Sequence, residues 1–536
     1  MGQDEHDTVP DTDDVLGGGT HEVFDVVVLG AGSAGEVVAL ALAEAGRRVA
    51  AVEGALVGGE CPYLACVPSK AMLLAARRHR AAVREAAGGA PQDARDAVHA
   101  PAWADAVRRR DEASAHRDDG GSASALEDAG VTLVRGRGRV TARDPSGRGG
   151  VVTVRGEDGG ERRLGWRDAL VVGTGSTSTR PPVAGLDVAP TWTSDEALSS
   201  AERPARLVVL GGGAVGCELA QVYASFGVAV TLVEPAPTLL AAEPGWVGGV
   251  LADALRGNGV DVRVGVPAEA VEKDVDGAAA VLVRLGDGTA VPADRVLVAT
   301  GRAPRTADLG LEVLDVPVEE GAPLAVDARC RVVAVGGVEC HEDVFAVGDV
   351  TGVAPYTHTA SYQGRIVAAH LLGTGRDADY SGVPRAVYTD PAVYSVGDTA
   401  AEARQARTDV LVARFDVGET ARAFVERVAG TVEPVRASGA DGAAGTAGTA
   451  GTDEAIGQVE LVCDARTGVL VGAAAVGPAA DAWAGELALA VRARVTVEIL
   501  ADHVRAFPTW AEALRPPAQE LADGRRAALP RARPTR

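Results

Sequence analysis

The chain has 536 residues, 47% of them hydrophobic, with 52 basic against 74 acidic side chains and a formal charge of −22. That length allows several domains with large buried cores. So acidic a surface excludes nucleic acid and anionic membranes as general partners.

In chain order, residues 1–22 are acidic, lack an apolar segment and are expected to be disordered. No apolar run is long enough to span a bilayer and no signal peptide is read, so a cytoplasmic location is expected. An apolar strand over 24–29 leads into a helix over 33–45 and a second strand over 48–53. Gly30-x-Gly32-x-x-Gly35 lies at the strand–helix junction, where glycines let the backbone approach a pyrophosphate at a helix N-terminus. Glu53 closes the unit as a ribose ligand.

Next come Cys61 and Cys66, then Val67-Pro68-Ser69-Lys70 and an Ala- and Leu-rich helix starting near Pro68. Cytosolic cysteines stay reduced unless they are redox-active, so this spacing beside a nucleotide site points to electron transfer between a cofactor and a disulfide. Lys70 and Lys273 are the only lysines, so Lys70 reads as chemically required. The scattered Cys217, Cys330, Cys340 and Cys463 read as small buried residues. No metal-ligating cluster is read.

Strands and turns over 131–175 lead to Thr174-Gly175-Ser176. Residues 207–210, 214–226 and 228–234 then repeat the strand–helix–strand plan, with Gly211-x-Gly213-x-x-Gly216 and Glu234 at the same interval. A carboxylate at Glu234 accepts from a free 2′-hydroxyl and repels a 2′-phosphate, which favours NADH and disfavours NADP(H). From about residue 383 the pattern is strand-rich, then helical. Residues 438–453 read as a flexible Gly/Ala/Thr insert, and 522–536 as a solvated Arg-rich tail or a docking segment.

These motifs occur in the order found in the class I pyridine nucleotide–disulfide oxidoreductases, and the chain resembles that family from about residue 23 to 521. The family includes dihydrolipoamide dehydrogenase, glutathione reductase and mercuric reductase. The motifs are the first glycine fingerprint, Gly58-Gly59-Glu60-Cys61 through Lys70, Thr174-Gly175-Ser176, Gly211-Gly212-Gly213 with Glu218, Gly301-Arg302, Gly348-Asp349, and Phe507-Pro508-Thr509-Trp510-Ala511-Glu512.

The resemblance implies an α/β fold with two Rossmann-like dinucleotide-binding domains, for FAD and NAD, and a C-terminal α+β dimerisation domain. The FAD domain would take 23–185 and 309–380, the NAD domain 186–308 and the dimerisation domain 381–521. Gly30, Gly32, Gly35, Glu53, Gly59, Thr174, Gly175, Ser176, Asp349 and His358 would contact FAD. Gly211, Gly213, Gly216, Glu234 and Gly301 would serve NAD(H). Cys66 would face the flavin and Cys61 the substrate, with Lys70 and Glu218 paired near the flavin N5. The helix dipole and the Lys70 ammonium both favour a thiolate at Cys66.

The family pattern breaks at one point. Members with dithiol substrates carry a histidine before the Pro-Thr of the C-terminal segment, oriented by the Glu that follows. Here Glu512 is kept and the histidine position is Phe507. His503 is a candidate substitute base, although Pro508 favours an extended approach. Glu60 replaces a common Thr, Ala214 replaces a gating Tyr, and no extra C-terminal cysteine pair is present. The leading expectation is a homodimeric FAD enzyme passing electrons from NADH through flavin and Cys61–Cys66 to a disulfide or another two-electron oxidant. A quinone-like acceptor stacked on Phe507, in a diaphorase-type reaction without the dithiol, is the second reading. A low-turnover flavin redox sensor is the third.

Overall fold

The computed structural model describes residues 21–86, 92–333, 340–428, 435–436 and 454–528, less positions 276, 278 and 408. The expectations for residues 1–20, the insert 438–453 and the last residues from 529 lie outside the described residues. The chain divides into two compact units: 21–63, 117–177 and 302–379 form the first, and 64–116, 178–301 and 380–528 the second.

In the first unit the central sheet runs Arg331–Val333, Cys340–Ala346, Glu161–Val172, Glu22–Leu29, Val49–Glu53, Thr132–Arg135. The strands from Cys340–Ala346 onward are parallel. Strands Arg137–Arg143 and Gly150–Arg155 extend it as an antiparallel meander. Val27, Leu29 and Val52 pack on one face, Val26, Val28 and Ala51 on the other. Both faces are covered, so these strands read as continuous apolar runs instead of alternating. The helix Gly35–Glu44 follows the first strand, slightly shorter than the span 33–45.

The second unit holds a parallel sheet ordered Asp261–Val264, Ala229–Glu234, Arg206–Leu210, Arg295–Val298, Thr191–Trp192. The helix Ala214–Ser225 packs against Cys66–Ala86 around Tyr223, Phe226 and Trp103. That packing accompanies the grouping of residues 64–116 with the second unit. The C-terminal part is an antiparallel sheet ordered Pro384–Val387, Ala392–Gly397, Leu470–Gly477, Gln458–Asp464, Val410–Asp416, with helices over its apolar face. The fold is therefore α/β, with two dinucleotide-binding units and a C-terminal α+β domain.

Two local expectations change. The last helix, Arg515–Ala528, runs past position 522. Arg525 is drawn onto Glu498 and donates to the Ala465 carbonyl at 2.9 Å, so this arginine anchors a helix end and is not a solvated tail residue. Cys217, Cys330 and Cys463 are buried, but Cys340 is half-buried at the start of a strand.

Candidate functional site

The first glycine loop is shaped by contacts that a side chain would destroy. Gly30 has φ +96°, and a Cβ there would collide with the Gly173 carbonyl. A Cβ on Gly35 would collide with the Gly30 carbonyl, so the helix can start this close to the strand only without one. Glu53 locks the loop: its Oε2 accepts from Ala31 N–H at 2.8 Å and its Oε1 from Ala55 N–H at 2.7 Å. Burial pushes the Glu53 carboxyl above its ordinary range, opposed by those two amides and by the charges of Arg135 and Arg305.

The chain then returns over this loop. Gly58 N–H donates to the Ala31 carbonyl at 2.7 Å, and a Cβ on Gly59 would stand 3.0 Å from Gly32 Cα. Asp119 holds the returning segment by accepting from Val57 N–H and from Arg135, each at 2.7 Å. Glu60 bonds Arg302 at 2.5 Å and Arg305 at 2.8 Å. Arg302 also donates to Ser176 Oγ at 2.7 Å, and Ser176 Oγ donates to Asp349 at 2.6 Å. Thr174 Oγ1 donates to the Arg305 carbonyl at 2.7 Å, and Gly175 turns at φ +73°. Gln363 fixes the Gly348 N–H beside Asp349 at 2.7 Å. His358 lies in the first turn of the helix Thr357–Leu371 and stacks on Tyr356. Gly30, Gly32, Gly35, Glu53, Gly59, Thr174, Gly175, Ser176, Asp349 and His358 all belong to the first unit.

The second loop repeats the device. Gly211 has φ +105° against the Ala299 carbonyl, and Gly216 abuts the Gly211 carbonyl. Glu234 Oε2 accepts from Gly212 N–H at 2.6 Å and Oε1 from Ala236 N–H at 2.7 Å. A carboxylate offers about four acceptor sites, so capacity remains for a sugar hydroxyl. A Cβ on Gly213 would meet nothing within 4 Å. Gly301 sits at φ +121°, its carbonyl accepting from Thr179 N–H at 3.0 Å.

Cys61 lies in the short helix Glu60–Tyr63, and Cys66 is the first residue of Cys66–Ala86. Both are half-buried. The helix starts two residues before the expected Pro68, because proline is tolerated in a first turn whose N–H groups have no intrahelical partner. Lys70, one turn on, bonds Glu218 Oε2 at 2.9 Å and Oε1 at 3.2 Å. Glu218 is buried, while about a third of the Lys70 side chain is exposed.

The C-terminal segment differs from the expectation for an acid–base pair. Glu512 Oε1 accepts from Thr509 N–H at 2.9 Å, capping the short helix Trp510–Leu514. Phe507 is 75% exposed. His503 ends the helix Val497–Asp502, after which the chain is irregular to Thr509, so His503 and Phe507 do not share a helical face. His503 instead lines a cleft of about 490 Å³ with Arg422, Trp483, Val504 and Trp510.

Sequence reading did not single out Asp119, Gln363, Arg305 or Tyr388. Only Arg305 lies beside a motif read from sequence, three residues after Gly301-Arg302. Among the described residues no group of three or more His, Cys, Asp or Glu could hold a metal ion. No described helix is long and apolar enough to cross a membrane.

Comparison with known proteins follows the same outline. Residues 24–364 match the family model described as pyridine nucleotide-disulphide oxidoreductase, and 383–518 match the dimerisation domain of that group. A dihydrolipoyl dehydrogenase from Thermus scotoductus is 33% identical over 505 residues, 93% of this chain and 98% of the relative. A mercuric reductase from Acidithiobacillus ferrooxidans is 30% identical, covering 92% of this chain and 82% of the relative. A crystal structure of LpdA from Mycobacterium tuberculosis superposes with a TM-score of 0.75 at 25% identity, over 93% of this chain and 99% of that one.

Proposed function

The chain belongs to the pyridine nucleotide–disulfide oxidoreductase family, and on that premise we propose that it passes electrons from NADH through FAD to a Cys61–Cys66 redox dithiol and on to a small-molecule disulfide. It is an FAD-dependent enzyme using a pyridine nucleotide. Its dimerisation domain supports a homodimer.

The two glycine loops fit their nucleotides on geometry. At both loops the first and third glycines sit where a Cβ would strike a backbone carbonyl, which brings the helix N-terminus, favourable to a pyrophosphate, close to the strand end. Gly30, Gly32, Gly35, Glu53, Gly59, Thr174, Gly175, Ser176, Asp349 and His358 would hold FAD. Gly211, Gly213, Gly216, Glu234 and Gly301 would hold NAD(H). Bound FAD supplies a two-electron relay between nicotinamide and thiols. NADH is favoured because Glu234 repels a 2′-phosphate.

The residues of the chain then have distinct tasks. Cys66 stands at the first position of a 21-residue helix, where the dipole favours a thiolate and Lys70 adds positive charge. Lys70 and Glu218 form a half-buried ion pair that would order the hydride site. In the exchange, the Cys61 thiolate attacks one sulfur of the acceptor disulfide and expels the first thiolate, leaving a mixed disulfide. Cys66 then attacks Cys61 Sγ, expels the second thiolate and restores the Cys61–Cys66 bond. Each expelled thiolate takes a proton from solvent, and the two electrons derive from NADH. With Phe507 in the histidine position, no imidazole stands there to take the thiol proton. Turnover with dithiol–disulfide substrates is expected to be about 10²–10⁴-fold below that of an enzyme with a positioned base. Glu512 is read as shaping this segment, since its carboxylate caps the Trp510–Leu514 helix.

The observation that carries this reading is the Lys70–Glu218 pair one helical turn from Cys66, at 2.9 Å. A second reading rests on the exposed Phe507 ring, which offers a planar face to a quinone-like acceptor. Replacing Cys61 and Cys66 together by Ser separates the two. Loss of disulfide reduction is expected. Quinone reduction at the wild-type rate alongside that loss would transfer the main activity to the second reading. The reliance on reducible thiols argues for placement in the reducing cytoplasm.

A further inference from the structure

Tyr388, Thr389 and Asp390 run along the two helices Cys66–Ala86 and Ala214–Ser225 and contact both of them at two levels. Tyr388 N–H donates to Glu218 Oε1 at 2.9 Å, and its ring lies 4.4 Å from Lys70 Nζ, centroid to nitrogen. Two residues on, Asp390 N–H donates to Gln221 Oε1 at 2.8 Å, and its carbonyl accepts from Gln221 Nε2 at 2.8 Å. The Asp390 carboxylate takes Arg80 at 2.7 Å and faces Arg77 at 3.6 Å. Thr389, between them, is fully buried. One rung therefore spans Lys70 and Glu218, and the other spans Arg80 and Gln221.

The first rung matters most. Lysine is a point charge on a flexible stem with several rotamers, and here about a third of it is exposed. A single carboxylate does not fix the direction of such a stem. An aromatic face attracts the ammonium from a second side. Meanwhile the Tyr388 amide orients the Glu218 carboxylate. Burial pushes the Tyr388 phenol above its ordinary range, with Lys70, Asp481, Glu218 and Cys66 as the charged and titratable groups around it. The ring is therefore neutral in the working range and acts through its face.

We propose that Tyr388 is a positioning residue for the hydride site: it clamps Lys70 over Glu218 and thereby keeps the ammonium directed at the Cys66 end of its helix. This rests on the reading that Lys70 and Glu218 serve the flavin and Cys66.

The test uses the full-length FAD-loaded enzyme and the variants Tyr388→Phe, Tyr388→Leu, Tyr388→Met and Lys70→Ala. Two quantities are read: the rate of flavin reduction by NADH in stopped flow, and the pH profile of Cys66 alkylation by iodoacetamide in the NADH-reduced protein, followed by mass spectrometry. Phe keeps the ring face and should stay within about twofold of wild type. Leu should slow flavin reduction about tenfold with the KM for NADH unchanged, and move the alkylation midpoint upward by about half to one pH unit. Met, which preserves bulk without a ring, should repeat the Leu result and carries the comparison if the Leu variant loses its fold. Wild-type rates and profile in Leu or Met, with Lys70→Ala impaired, overturn the clamp alone. An unimpaired Lys70→Ala overturns the reading of Lys70 beneath it.

Discussion

The two nucleotide-binding loops are near copies in backbone and differ in what lies over them. In each, a first glycine at positive φ abuts a strand carbonyl, a third glycine abuts the first, and a glutamate takes two backbone amides. Over the first loop the chain folds back, with Gly58 bonded to Ala31 and Gly59 against Gly32. Over the second the chain also returns, with Leu240 bonded to Gly212, but nothing stands against Gly213 as Gly59 stands against Gly32. The tighter cover at the middle glycine of the first loop suits the proposed resident FAD, and the free space at Gly213 suits an NADH that arrives and leaves. The returning chain in the first unit is also the one that bears Cys61, so retention and thiol placement share one piece of backbone.

The largest expected effects come from the third glycines. Gly35→Ala and Gly216→Ala each force a Cβ into a carbonyl, with an expected loss of roughly 2–4 kcal/mol in stability. The consequences should diverge. Gly35→Ala should purify without flavin, as read by visible absorbance. Gly216→Ala should keep its flavin yet no longer be reduced by NADH. If both variants lose flavin equally, the assignment of separate ligands to the two loops breaks.

A smaller effect is expected at the acid of the open loop. Glu234→Ala removes the carboxylate that repels a 2′-phosphate. The NADPH to NADH ratio of kcat/KM should rise about tenfold or more, with flavin content unchanged.

The smallest effect concerns the layer over the first loop. Asp119 accepts from Arg135 and Val57, and its hydrogen bond to Arg135, aided by the Val57 amide, holds its carboxyl below the ordinary range despite the opposing cost of burial. Since the folded value is depressed, the stability that Asp119 supplies is fully present above its ordinary value of 3.8 and is lost as pH falls through the lower folded value. Asp119→Asn should cost about 1–2 kcal/mol near neutral pH. Urea unfolding across the acid range should show wild type and variant converging as pH falls.

The glycine loops, both glutamates and the cysteine pair were legible in sequence because their requirements are local. Positive φ and close backbone approach leave glycine as the ready choice, and a Cys at a helix start is visible with its neighbours. The alternation of strands and helices likewise gave the α/β class and the strand-rich C-terminal part. What escaped depends on pairings distant in the chain. Asp119 serves Val57, Gln363 serves Gly348, and Tyr388 serves Glu218 and Lys70. No spacing rule marks such residues, since each is ordinary in its own segment. Arg525 was misread for the same reason, because its partners Glu498 and Ala465 lie outside the arginine-rich run.

The claim at the centre is that Cys66 receives electrons from the flavin. An anaerobic titration of the full-length FAD enzyme with NADH, followed in the visible, tests it most directly. Two-electron reduction should raise a long-wavelength thiolate–flavin absorbance in the wild type; Cys61→Ser, whose Cys66 has no disulfide partner, should show it before NADH is added and lose it on reduction, and Cys66→Ser should show none. Plain bleaching of the flavin in the wild type, without that absorbance, would contradict the account.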